Sequence, residues 1–357
     1  MTDVSRYVSN PILSPENVVP IIPDCEVIGV FNAATAVLDD EIILILRVAE
    51  RPISEVDHEI KIPIYSTNSH SVEFTVLDLM DPTYDFSDSR VVSSISNGGI
   101  GTYLTSISYL RLARSKDGYN FEVEDKPFLF PNNDMDEFGL EDPRCTKIDD
   151  TFYITYTAVS RHGASVGLAT TENFTSVKRQ GIIFAPENKD AVLFPEKING
   201  RYYAIHRPVP HGIGLPEMWI ADSHDILHWG NHRFLVGLRP DYWDSCRIGA
   251  GTVPIKTEDG WLEIYHAVDD YGRYCLGVLL LDLYDPSIVL ARSDSPIAVP
   301  ETDYEVEGFY ANVIFTCGAI VLGDMVRIYY GAADYSIACM DVSMAELLRE
   351  PLVQQQR

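Results

Sequence analysis

The chain of 357 residues carries 53 Asp and Glu against 27 Lys and Arg, a formal charge of -26. A field of that sign repels nucleic acid and anionic membrane surfaces, which sets both aside as partners. Hydrophobic residues at 46% suffice for a buried core, and abundant Tyr (20), Phe (14), Gly (23) and Pro (21) favour many short strands joined by turns.

The first residues, Met1-Thr2-Asp3-Val4-Ser5-Arg6, lack the basic start and apolar core of a secretory signal, and no apolar run is long enough to span a bilayer. A cytoplasmic protein is expected. The six cysteines are scattered with no Cys-x-x-Cys pair and read as free thiols.

Five segments share one shape, an acidic or glycine turn followed by an alternating strand: 40–47, 150–157, 200–207, 260–267 and 324–331. Segments of a second kind follow four of them at 109–115, 165–170, 217–223 and 276–282, and a third kind appears at 128–130, 182–184 and 234–236. Such a unit, recurring at roughly 50 to 65 residues, is the pattern of propeller blades. The expected fold is all-β, a single five-bladed β-propeller domain over 1–357 with a short C-terminal helix from Ser343 to about Val353. A two-sheet sandwich is the alternative. The first interval, about 110 residues, is longer and holds a polar stretch at 52–70, read as an insertion beside a site.

In a propeller, corresponding strand ends meet at one end of the central channel. Here those ends hold Arg47, Tyr156-Thr157, His206-Arg207, His266, and Tyr330 with Asp334 nearby. Cations at several of these positions, in so acidic a chain, suit an anion site. Gly139-Leu140-Glu141-Asp142-Pro143-Arg144 stands out further, with two carboxylates and a guanidinium in a turn stiffened by proline; a surface Asp-Pro turn is its plainer reading. Lys189, in Asn188-Lys189-Asp190, and Arg247, before Ile248-Gly249-Ala250-Gly251, add cations beside turns. Guanidinium groups grip phosphate or carboxylate through paired bonds, while Lys and His supply single contacts. An acid facing an anion pocket has a reading in sugar chemistry: where phosphate replaces water as nucleophile, the second carboxyl of a glycosidase becomes unnecessary. Tyr103, Tyr242, Trp243 and Tyr310 are candidate sugar platforms or packing residues.

The ordered set of Gly139 to Arg144, Val192-Leu193-Phe194-Pro195-Glu196-Lys197, His228-Trp229-Gly230-Asn231-His232-Arg233, Arg247 to Gly251, Ile264-Tyr265-His266 and Ile328-Tyr329-Tyr330-Gly331-Ala332-Ala333-Asp334 resembles glycoside hydrolase family 130. That family consists of five-bladed propellers, most of them phosphorylases of β-mannosides and a minority inverting β-mannosidases. The resemblance implies that Asp142 is the proton donor, acting through the 3-hydroxyl of the mannosyl unit. It implies that Asn32, Arg47 and Asp334 hold the mannosyl ring, with Glu141, Arg144, Asp190 and His206 completing the sugar set. It implies phosphate binding by Lys189, Arg207, Arg247, His266 and Tyr274. Where some relatives carry Arg-Asn this chain has Lys189-Asp190, Arg247 replaces a Lys, and Ala33 replaces a Ser. Both cation exchanges keep the charge.

The expected activity is reversible, inverting phosphorolysis of β-mannosyl oligosaccharides, β-1,2-linked ones favoured over β-1,4, giving α-mannose 1-phosphate. Inorganic phosphate is a co-substrate and no metal or organic cofactor is implied. An inverting β-mannosidase and a non-catalytic sugar-binding propeller are the alternatives. Acceptor contacts are expected from 52–70 and 208–215, and homo-oligomers are common among such enzymes.

Overall fold

The structure, a computed structural model, describes residues 2–352. Among these, α-helices occur only at Asp303–Val306 and Met344–Leu352, and the chain is otherwise strands and turns. The C-terminal helix starts directly after a strand and buries Leu347 against Met340 and Val342; the expected endpoint Val353 lies outside the described residues.

The main strands fall into consecutive antiparallel groups of four. The first holds Cys25–Leu38, Glu41–Pro52, Ile107–Ser115 and Glu122–Leu129; the second holds Gly139–Ile148, Thr151–Ser160, Gly163–Thr171 and Lys178–Phe184. The third holds Asn188–Leu193, Tyr202–Pro208, Met218–Ser223 and Trp229–Val236. The fourth holds Arg247–Ala250, Trp261–Val268, Tyr274–Leu281 and Val289–Arg292, with the short Ile255–Lys256 added beside Trp261. The fifth holds Ile314–Leu322, Met325–Ala332 and Ser336–Ser343, and its fourth strand is Ser5–Arg6, paired with Asp341 and Met340. The repeated segments of the sequence are the second, third and fourth strands of these groups.

Apolar side chains pack between neighbouring groups. Leu110, Leu140 and Phe152 join the first group to the second, and Val166, Leu193 and Ala204 the second to the third. Ile205, Trp261 and Leu279 join the third to the fourth, and Leu276, Ile328 and Met340 the fourth to the fifth. A further cluster, with Leu46, Tyr109, Tyr329 and Ile337, joins the fifth group back to the first. Strands with both faces covered read as near-continuous apolar runs, as in Trp261–Val268, where every residue is buried.

The first two groups touch through one parallel pairing, Gly139 with Ser108. Gly139 has φ 122°, and a Cβ there would lie 2.7 Å from the Ser108 backbone, so the opening glycine of the acidic motif is fixed by this contact.

The long first interval spans 53–106 and forms the hairpin Glu59–Ser66/Ser71–Asp78 and a three-stranded sheet of Tyr84–Asp88, Val91–Ser94 and Ile100–Leu104.

Candidate active site

Each of the first three groups carries the same irregularity in its first strand. Pairing with the second strand slips between Phe31 and Ala34, between Glu141 and Arg144, and between Lys189 and Val192. Within the slips, Asn32, Asp142 and Asp190 take left-handed backbone, with φ 50°, 46° and 53°. Asn and Asp tolerate this region better than other side chains, and a bulge re-aims the residue it carries. All three side chains turn into one pocket of about 350 Å³.

On one wall, Arg47 stacks over Phe31 with its guanidinium carbon 4.6 Å from the ring centre. Its Nε donates to Ser108 Oγ at 3.0 Å, Nη1 to Asp142 Oδ1 at 3.0 Å and Nη2 to Glu141 Oε1 at 2.9 Å. Asn32 Nδ2 also donates to Asp142 Oδ1, at 2.8 Å. Burial alone would push the Asp142 carboxyl up, but Arg47, Arg144, the Asn32 bond and Lys189 hold it below the ordinary aspartate value. Asp334, half-buried on the same wall, goes the other way: burial and Asp142 outweigh Arg47 and raise it to about 6.

Opposite stand the cations. Lys189 Nζ donates to Glu141 Oε2 at 3.2 Å, so Glu141 bridges Arg47 and Lys189. Arg207 Nε donates to Asp190 Oδ2 at 2.8 Å, and Arg247 Nη1 to the Tyr274 hydroxyl at 2.9 Å. His266 is fully buried, packs on Phe315 at 4.1 Å between ring centres, and has no hydrogen-bond partner at either ring nitrogen. Burial lowers its pKa, with the Arg144 and Arg207 fields, against the pull of Asp190. Tyr274 is raised by burial.

Of the expected site residues, all but Arg144 and His206 line this pocket. Arg144 is buried beneath it, donating to the Asp142, Ala250 and Gly251 carbonyls and pairing with Asp190 at 3.2 Å. His206 faces the other side of its strand and stacks on Phe184 at 4.5 Å. Its Nδ1 donates to Asn188 Oδ1, since that oxygen can only accept, which leaves Nε2 to accept from His232 Nδ1. Burial, with His232, lowers its pKa to about 3. Neighbouring strand residues point to opposite faces, so His206 and Arg207 could not both reach the pocket.

Tyr156 and Tyr330 also turn away from the pocket, bonding Arg179 and Glu305. Of the candidate platforms only Tyr310 lines it; Trp243 packs between the third and fourth groups, and its indole donates to the Asp294 carbonyl. The insertion reaches the pocket through Arg90, Val91, Leu104 and Ser106 rather than through 52–70, while Val209 does so from the stretch 208–215. Arg90, whose guanidinium carbon sits 4.4 Å over Tyr310, was not anticipated. The signal for it was a lone cation among Asp81, Asp85 and Asp88.

The arrangement can hold a polyol against one acid on one wall and an anion on the other. The family model described as beta-1,4-mannooligosaccharide phosphorylase, Glyco_hydro_130, matches residues 102–350. A beta-1,2-mannobiose phosphorylase of Listeria innocua is 47% identical over 348 residues, 98% of each chain. The solved structure of that name from Listeria innocua, in complex with beta-1,2-mannobiose, superposes with a TM-score of 0.96 at 47% identity, covering 98% of this chain and 99% of the other. A 1,2-beta-oligomannan phosphorylase of Thermoanaerobacter sp. is 43% identical over 250 residues, 69% of this chain and 81% of its own. With sequence, fold and family model in agreement over most of its length, the chain belongs to glycoside hydrolase family 130.

Proposed function

We propose that the protein is an inverting β-mannoside phosphorylase that prefers β-1,2-linked mannobiose and short mannooligosaccharides to β-1,4-linked ones. A phosphate oxygen attacks the anomeric carbon of the terminal mannosyl unit from the face opposite the leaving sugar, and the glycosidic C–O bond breaks. The leaving oxygen takes a proton that originates on Asp142 and passes through the mannosyl 3-hydroxyl. The products are α-mannose 1-phosphate and the shortened sugar, and the reaction runs both ways.

The observation that carries this reading is one acid facing a set of cations across a single pocket: Asp142 against Lys189, Arg207, Arg247 and a buried His266 with both ring nitrogens unbonded. A hydrolase would need a carboxylate free to activate water. Glu141 is committed to Arg47 and Lys189, and Asp190 to Arg144 and Arg207. Asp334 stands with Arg47 on the sugar wall, where with Asn32 it would hold the mannosyl hydroxyls. Fixed cations orient the phosphate and offset its repulsion from an acidic protein, a contribution of positioning and electrostatics that calls for no metal or organic cofactor. In the empty pocket Asp142 is held ionised; a docked phosphate offsets the positive field that keeps it so, and the acid gains its proton once the nucleophile is present. The linkage preference is supported by the printed names of the 47% and 43% identical relatives.

We also infer that the strand groups are the blades of one closed five-bladed propeller. The apolar cluster between the fifth group and the first, and the Ser5–Arg6 strand that completes the fifth, support closure. A cytoplasmic setting accords with a charged product that a membrane retains.

The test is product analysis with β-1,2- and β-1,4-mannobiose, each with and without phosphate. Mannose 1-phosphate is expected only with phosphate, and faster from the β-1,2 substrate. Free mannose formed at equal rates with and without phosphate would overturn the reading.

A further inference from the structure

Asp190 occupies in the third strand group the bulge position that Asn32 and Asp142 occupy in the first and second, and the resemblance expects it to bind sugar. Its surroundings give it other work. It is 3% exposed, and both its oxygens are engaged: Oδ1 by Arg144 Nη2 at 3.2 Å, Oδ2 by Arg207 Nε at 2.8 Å. His266 Nε2 lies 3.3 Å from Oδ2 as well. The three partners come from the second, third and fourth groups, and each is itself at most 5% exposed. Where relatives carry Asn, this chain has a carboxylate, which can only accept and so matches donors on both oxygens.

The bond to Arg207 has a directional consequence. A guanidinium offers its donors on two edges, and Asp190 takes the Nε, leaving Nη1 and Nη2 with no hydrogen bond among the described residues in a side chain that lines the pocket. That free fork is the geometry suited to two oxygens of a tetrahedral anion. A side chain left to itself would sample many rotamers; an anchored one has given up that freedom before the anion arrives.

We propose that Asp190 is a positioning residue for phosphate rather than a sugar ligand: it fixes Arg207 by the Nε edge so that the terminal nitrogens face the nucleophile. The proposal rests on the reading of this pocket as a phosphorylase site. Asp190→Asn keeps the size but must turn an amide donor toward either Arg144 or Arg207, so one anchor is lost.

The experiment is steady-state phosphorolysis of β-1,2-mannobiose by the wild type, Asp190→Asn, Arg207→Ala and the double variant, with folding checked by thermal melts. Asp190→Asn is expected to raise the KM for phosphate at least tenfold and to leave that for mannobiose within about threefold. Because Asp190 acts through Arg207, the double variant should have a phosphate KM close to that of Arg207→Ala alone. A rise in mannobiose KM equal to that for phosphate, or additive effects in the double variant, would overturn the proposal. A crystal structure of the wild type with mannobiose and sulfate tests it without any variant: Arg207 should fork onto sulfate with no sugar hydroxyl bonded to Asp190, and a sugar bond there would refute it. Wild-type turnover that ignores phosphate would count against the phosphorylase reading itself and leaves the crystallographic comparison to decide the role of Asp190.

Discussion

Asp334 offers a test that separates stability from catalysis. Its carboxyl is raised from the ordinary aspartate value of 3.8 to about 6, by burial first and by the neighbouring Asp142, against the pull of Arg47. A folded-state pKa above the unfolded one means that the fold binds this proton more tightly than the open chain does. The associated stability is therefore complete below about pH 4 and is lost as pH rises through about 6. Each tenfold change in proton affinity is worth about 1.36 kcal/mol, so ionising Asp334 costs the folded protein on the order of 3 kcal/mol. Since the residue is only half-buried, screening trims this to about 2 kcal/mol. Asp334→Asn keeps the neutral shape permanently. In phosphate-free buffer the variant should be about 2 kcal/mol more stable than the wild type at pH 7 and equal to it near pH 4, read by urea denaturation across that range. It should also lose most of its kcat/KM for mannoside, if Asp334 holds the sugar. A variant no more stable at pH 7, or a difference that does not change with pH, would refute the account of this wall.

Asp142→Asn should lower kcat by at least about a thousandfold while mannobiose still binds, measured by turnover and calorimetry; near-normal turnover removes Asp142 as the acid. Arg247→Ala removes a cation from the mouth and should raise the phosphate KM about tenfold with little change for mannoside, whereas equal changes would contradict a phosphate role. Gly249→Ala would set a Cβ 2.4 Å from Asp190 Oδ2 and 2.7 Å from the His266 ring. It should cost about 1 to 3 kcal/mol of stability and weaken phosphate binding together, and an unaffected enzyme would show that this floor yields freely.

The second strand of each group was legible because it begins at a sharp acidic or glycine turn and alternates cleanly, as in Asp324 to Gly331. First strands were harder to see, because three of them are broken by the bulges that carry Asn32, Asp142 and Asp190. Those bulges have a sequence trace, an Asn or Asp followed by a small residue or proline just before an apolar run, but it is too short to stand on alone. Arg207 and His266 were found by their position at strand ends. Arg144 and His206 were assigned to the sugar by the motifs that contain them, and alternation across the strand sends them elsewhere. Arg90 and Phe315 reach the pocket through folding that brings distant segments together, the first from an insertion about 40 residues after Arg47, and no local pattern announces such a meeting.

The Ser5–Arg6 strand sets the order in which the molecule can be finished. Its partners Met340 and Asp341 are among the last residues to be synthesised, and Arg6 also reaches Glu305, at 2.8 Å, and the Val299 carbonyl, at 2.7 Å. While the nascent chain is emerging, the start of the protein waits beside an edge that does not yet exist. The earlier strand groups can assemble in sequence, each on the one before, but the final seam couples the two most distant parts of the chain and forms after nearly everything else. The seam then acts as a latch: fraying at either end exposes the same edge, and the two termini share one fate in unfolding.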